Sequence, residues 1–162
     1  VSSRRFIVNA SPVIFLTQIQ ALRLLKDLAG EVVIPTAVKH EVLAGAGYHD
    51  SLVPVEFPSW MVVRPDLPLL PEVAGWDLGA GESQVLVHAA TSPDCEAVLD
   101  DLQARRCARG LGILTTGTLG ILLRAKRAGL IPAARPLVED LLYKGLYLSR
   151  AVVESALGEV GE

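Results

Sequence analysis

The feature that most constrains this chain is a series of short apolar runs, each followed by a segment of helical character. Phe6-Ile7-Val8 ends at Asn9, Val32-Val33-Ile34 at Pro35, and Ala97-Val98-Leu99 at Asp100-Asp101. Met61-Val62-Val63 is a weaker run, and Ile113-Leu114-Thr115 closes the series. Runs that are apolar throughout, rather than alternating, fit strands buried on both faces. Between them, Ser11-Pro12 reads as an N-cap with proline at the first helical position, opening helical sequence through Leu28 that Gly30 stops. Pro35 opens a helix to about Leu43, and residues 44–59 read as loop. Pro65, Pro68 and Pro71 mark a turn-rich connection. Further helices are expected over Glu82–Ala90, Leu102–Leu111, Thr118–Ala128, Ala133–Lys144 and Ser149–Leu157. Strands alternating with helices predict an α/β fold: three layers, α/β/α, with a doubly wound central parallel sheet of about five strands. The length of 162 residues predicts a single domain over 1–162, with 133–162 as a C-terminal helical extension.

Composition removes several alternatives. A hydrophobic share of 51% against 20% charged residues excludes a disordered chain. Two cysteines exclude a disulfide scaffold and a four-thiolate zinc site. The uncharged stretch Gly110–Leu123 is 14 residues long, against the roughly 20 that a membrane span needs. No signal-peptide pattern opens the sequence, so a cytoplasmic, membrane-free protein is expected. A net charge of −3 argues against coating nucleic acid with the whole surface. The charge is nonetheless split. Asp66, Glu72, Asp77, Glu82, Asp94, Glu96, Asp100 and Asp101 fall in a stretch without Lys or Arg. Arg105, Arg106, Arg109, Arg124, Lys126, Arg127 and Arg135 follow in one without acids. The split suggests an acidic site beside a basic one; two ordinary solvated faces are the plain alternative.

Doubly wound sheets bind ligands beyond the carboxyl ends of their strands, where strand order reverses. Asn9, Asp100, Asp101, Thr116 and Thr118 follow strands in this sequence. Glu82 stands three, four and seven residues before Val85, Leu86 and Ala89, on an apolar stripe. Glu41 stands three after Val38 and beside Val42. A carboxylate on a buried face is costly unless it is paired or binds a cation. Converging carboxylates suit hard ions such as Mg²⁺ or Mn²⁺. The ordinary readings are a helix-dipole charge for Glu82, a stripe-edge side chain for Glu41, and a turn with a helix N-cap for Thr116 and Thr118. His40, His49 and His88 lack metal-ligand spacing, and Cys95 and Cys107 read as small apolar groups. Gly79-x-Gly81 lacks the full dinucleotide fingerprint. Trp60, Trp76, Tyr143 and Tyr147 are too scattered to argue for a base-stacking platform.

These residues carry a resemblance. Val8-Asn9-Ala10-Ser11-Pro12-Val13-Ile14 resembles the opening of PIN domains: a strand, an acid, a small or hydroxyl residue, and an apolar helix. Ile34-Pro35-Thr36-Ala37-Val38 with Glu41-Val42 resembles their second motif. Gly79-Ala80-Gly81-Glu82-Ser83 and Leu99-Asp100-Asp101 with Arg105-Arg106 resemble a prokaryotic PIN branch of unknown function. Gly117-Thr118-Leu119-Gly120-Ile121-Leu122, Ala125-Lys126 and Gly129-Leu130-Ile131 extend that likeness over nearly the whole chain.

The resemblance implies a metal-dependent endoribonuclease with Mg²⁺ or Mn²⁺ as cofactor, in the setting of a toxin–antitoxin pair with RNA as substrate and an antitoxin protein as partner. It implies a catalytic and metal-holding set of Asn9, Glu41, Glu82 and either Asp100 or Asp101. RNA contacts are expected from Arg105, Arg106, Thr116 and Thr118. PIN domains usually carry Asp where this chain has Asn9, which removes a charge. That departure supports an alternative, a catalytically weak module binding RNA or a protein partner. A third, remote reading is a doubly wound domain binding a small molecule. Leu141, Leu142, Leu146, Tyr147 and Leu148, with Ile19, Leu22 and Leu25, are more apolar residues than the ends of a small domain need, and predict a homodimer.

Overall fold

A computed structural model describes residues 4–45 and 57–162. Five strands form one sheet: β1 (Arg5–Val8), β2 (Glu31–Pro35), β3 (Met61–Arg64), β4 (Cys95–Val98) and β5 (Leu114–Thr116). Their order is β3-β2-β1-β4-β5, and every neighbouring pair is parallel. The helices among the described residues are α1 (Ala10–Gln18), α2 (Arg23–Leu28), α3 (Thr36–Gly45), α4 (Pro71–Ala74), α5 (Ala80–Thr91), α6 (Leu102–Gly110), α7 (Thr118–Arg127), α8 (Arg135–Tyr143) and α9 (Arg150–Gly158). The result is the three-layer α/β/α architecture that the alternation of strands and helices predicts. None of these helices is long and apolar enough to cross a membrane.

The apolar runs are continuous because both faces of the sheet are covered. Phe6 pairs in register with Val32 on one side and Glu96 on the other, so the three share a face. That face meets α7: the Arg124 guanidinium lies 6.0 Å from the Phe6 ring centroid and forks onto Glu96, at 3.0 and 2.5 Å. Glu96 is only 2% exposed, a carboxylate in a central strand. Arg4 Nη1 lies 3.7 Å from the same carboxylate, so removing Arg124 should cost less than the roughly 3–5 kcal/mol of a buried charge left wholly unpaired. Ile7 and Val33 point the other way and line a small cleft with His88 of α5.

Several boundaries differ from the sequence reading, each for a local reason. Helix α1 begins at Ala10 with Asn9 at its N-cap, not at Pro12 behind Ser11. The chain turns straight from strand into helix, and Ser11 reaches across to β4's end instead of capping. Strand β5 begins at Leu114 because Ile113 closes helix α6, donating its N–H to the Ala108 carbonyl at 2.9 Å. Gly112, at φ +69°, supplies the left-handed residue this closure needs. The proline-rich connection carries the four-residue helix α4, which its prolines had not suggested. The loop expected over 44–59 is helical at its first two residues, and residues 46–56, with His49, lie outside the described residues. Of the apolar residues behind the dimer expectation, Ile19, Leu25, Leu141 and Leu146 are buried in this chain's own core. Leu22, Leu142 and Leu148 are half-buried, and Tyr147 is open.

The strand order reverses between β1 and β4, which opens a crevice at their carboxyl ends. The ladder runs one residue past each strand there. Asn9 N–H donates to the Val98 carbonyl at 3.0 Å, and Leu99 N–H to the Thr116 carbonyl at 2.9 Å. Asn9, Asp100 and Thr116 are thereby held along one edge.

Candidate metal centre

Asn9 leaves the end of β1 toward α5, with 2% of its surface exposed. Its Nδ2 donates to Glu82 Oε1 at 3.1 Å. Its Oδ1 is buried and accepts no hydrogen bond among the described residues. An unpaired buried acceptor costs about 1–3 kcal/mol. Such an atom in a native fold calls for a ligand or a function.

Two carboxylates flank it. Glu41, on α3, accepts the Gly81 N–H on Oε1 at 2.8 Å. Glu82 is the third residue of α5, where the helix dipole favours negative charge. The glycines of Gly79-Ala80-Gly81-Glu82 now have a reason. A Cβ on Gly81 would collide with Glu41 Oε2 and stand 3.0 Å from Asn9 Oδ1, and one on Gly79 would collide with Glu82 Oε2. Without those Cβ atoms both carboxylates lie against the first turn of α5. Glu41 Oε2 and Glu82 Oε2 accept no hydrogen bond among the described residues. Burial pushes the Glu41 carboxyl above its ordinary range and the Glu82 charge adds to that, while the Gly81 N–H opposes them.

Asp100 sits at the same edge in a different state. Its Oδ1 accepts the Thr118 N–H at 2.7 Å. Its Oδ2 accepts the Thr118 hydroxyl at 2.6 Å and the Ser11 hydroxyl at 2.9 Å. A carboxylate offers about four lone-pair positions, so three are occupied. Asp101 is exposed and caps α6, its Oδ1 accepting the Ala104 N–H at 2.8 Å. The two neighbours that spacing left undivided are thus separated by geometry. Thr118, placed by sequence as an N-cap or phosphate contact, is the first residue of α7 behind Gly117 and bonds Asp100 twice. Thr116 is buried, its hydroxyl lying against Gly120.

Among the described residues, no three His, Cys, Asp or Glu side chains form a metal-holding group. The cluster at Asn9 is instead two carboxylates and an amide oxygen. The sequence reading missed Ser11, whose signal was a hydroxyl two residues beyond the strand-end Asn9, and the role of the two glycines.

The basic stretch divides as well. Arg124 pairs with Glu96, Lys126 with Glu162, Arg127 with Glu159, and Arg135 with Glu154. Arg105, Arg106 and Arg109 are exposed on α6 and carry no ion pair among the described residues. Arg105 Nη1 comes within 3.1 Å of the point where a Gly117 Cβ would stand, and Asp100 Oδ1 within 3.0 Å of it.

The sequence profile of a family described as the PIN domain matches residues 5–162. The chain belongs to the PIN-domain family. No curated protein matches it. PIN domains have a nuclease-type fold and typically use divalent metals, and the family suggests RNA as substrate. In this PIN domain the strand-end position carries Asn9, which brings an N–H donor to Glu82 as well as an acceptor oxygen. The donor set is oxygen-only, with an orphaned buried Oδ1 and two uncommitted carboxylate oxygens, and its chemistry fits a hard divalent cation.

Proposed function

We propose that this PIN domain is a metal-dependent endoribonuclease, with Mg²⁺ or Mn²⁺ held by Asn9, Glu41 and Glu82. The observation that carries this reading is the buried, unpaired Asn9 Oδ1 between two carboxylates with free oxygens. A bound divalent ion supplies charge neutralisation at phosphate oxygens and a water of lowered pKa. The chain's own residues do the rest. Gly81 N–H orients Glu41, and Asn9 Nδ2 orients Glu82. Asp100, fixed by Ser11 and Thr118, sets the adjoining wall and keeps one lone-pair position open. Arg105 and Arg106 hold the phosphate backbone, since their guanidinium groups carry no ion pair among the described residues. Asp101 acts as a positioning residue, fixing the helix that carries both arginines.

One observation favours a second reading. The Asn9–Glu82 hydrogen bond ties up one carboxylate oxygen and lowers the charge offered to a cation. A catalytically weak PIN module that binds RNA or a protein is its consequence.

Incubation with single-stranded RNA and Mn²⁺ separates the two. The first reading expects cleavage that chelation stops and Glu82→Gln abolishes, with metal-free RNA binding retained. RNA binding without cleavage, in wild type and in Asn9→Asp alike, would reject it. The toxin setting and its antitoxin partner are tested by whether expression of the chain arrests growth, and Glu82→Gln relieves the arrest.

A further inference from the structure

A cavity of about 290 Å³ adjoins the metal-side edge, between the start of α7 and the segment joining α8 to α9. Its polar lining includes Asp100, Arg105 and Thr116. Its walls are apolar, with Leu119, Leu146 and Leu148 among them, and Tyr147 completes the lining. Leu146 is buried, and its N–H is bonded to the Leu141 carbonyl at 3.0 Å. Leu148 is half-buried on the other side. Tyr147 is therefore held between two anchored neighbours while 94% of its own surface is exposed. Sequence alone could not group it with Asp100, because the lining comes from segments far apart in the chain.

We infer that this cavity is a nucleoside subsite, taking one base of a single-stranded RNA beside the cleaved phosphate, with Tyr147 as its stacking face. Three observations converge. The cavity shares Asp100 with the edge described above, so its occupant is continuous with whatever lies there. Arg105 in its lining carries no ion pair among the described residues and is matched to a phosphate. An apolar wall with an open aromatic ring suits the flat face of a base, which stacks on such rings irrespective of sequence. The missing Cβ of Gly117 leaves the passage between Asp100 and Arg105 clear. A base must be turned out of its helix to enter, so double-stranded RNA does not fit. The inference rests on the ribonuclease reading above and names the form of its substrate.

The test is metal-free binding of a labelled single-stranded RNA by fluorescence anisotropy, over a range of salt, together with the cleavage assay. Tyr147→Ala should weaken binding roughly 10- to 100-fold, and Tyr147→Phe should bind as wild type. The salt slope should be unchanged in Tyr147→Ala, since stacking releases no counterion, and should fall by about one in Arg105→Ala. A blunt-ended RNA duplex should bind equally to wild type and Tyr147→Ala. If wild type binds and cleaves RNA while Tyr147→Ala matches it, the subsite is wrong and the ribonuclease reading stands. If wild type neither binds nor cleaves single-stranded RNA, both fall. Loss of affinity in Tyr147→Phe would assign the contact to the hydroxyl and overturn stacking. A change in oligomeric state in Tyr147→Ala with unchanged RNA affinity would make the cavity a contact between copies and overturn the proposal.

Discussion

Asp100 and Asn9 stand just past the carboxyl ends of the adjacent strands β4 and β1, yet their oxygens are in opposite conditions. Asp100 accepts three hydrogen bonds, two from Thr118 and one from Ser11. Around Asn9, three oxygens accept no hydrogen bond among the described residues: Asn9 Oδ1, Glu41 Oε2 and Glu82 Oε2. An acid at a strand end is thus no sufficient sign of a ligand. Asp100 stabilises the junction of β4, α1 and α7 whether or not anything binds. The Asn9 half destabilises the free chain, through a desolvated carboxyl beside another and an unpaired acceptor, and a cation would relieve both. Hydrogen-bond satisfaction separates the two cases where residue type does not.

The largest effect that can break this contrast is on cleavage. Glu82→Gln should lower metal-dependent RNA cleavage by on the order of 10²-fold or more, equivalent to losing several kcal/mol of charge stabilisation. Its metal-free urea midpoint should stay near wild type. Asp100→Ala should do the reverse in denaturation, losing about 2–3 kcal/mol with or without Mn²⁺, because buried Thr118 loses its acceptor. If Asp100→Ala unfolds at the wild-type urea midpoint, the structural role assigned to that half is wrong. Thr118→Val is a milder version: about 1–2 kcal/mol lost and no change in Mn²⁺ affinity.

The smallest effect is a pH dependence. Folded Glu41 holds its proton to higher pH than the unfolded chain does, where the ordinary value is 4.5. Its stabilising contribution is therefore complete below that value and lost as pH rises through the raised one. In metal-free protein, the stability difference between Glu41→Gln and wild type should grow in favour of Glu41→Gln over that window, as read by thermal melting. A difference that is flat with pH would mean Glu41 titrates as an ordinary carboxyl, and the desolvated half loses its basis.

The sheet was legible because burial on both faces leaves unbroken apolar runs, and the helices because caps and glycines punctuate them. Boundaries moved where a residue had a competing partner: Ser11 bonds Asp100 rather than a helix end, and Ile113 closes α6 rather than opening β5. Strand ends and helix stripes led to the expectation that Asn9, Glu41, Glu82 and one of Asp100 and Asp101 share a cleft; Asn9, Glu41 and Glu82 lie around the first turn of α5, while Asp100 is bonded to Ser11 and Thr118. Choosing between Asp100 and Asp101 needed the side-chain directions past the end of a strand, which alternation alone does not give. Glu96 was hidden because its partner Arg124 is remote in sequence, and the same pairing withdrew Arg124 from the basic stretch. Within the basic stretch, the arginines left without an ion pair among the described residues are those of α6, so the charge split along the chain overstated its free positive charge.

The most direct measurement is the Mn²⁺ affinity of wild type and Asn9→Asp, read by loss of the free-ion electron paramagnetic resonance signal. The account predicts modest binding in wild type. In Asn9→Asp it predicts binding tighter by about tenfold or more, each factor of ten being about 1.4 kcal/mol, because a third carboxylate replaces the amide. Equal affinities in the two proteins would show that no ion sits against residue 9, and the centre built around it would be refuted.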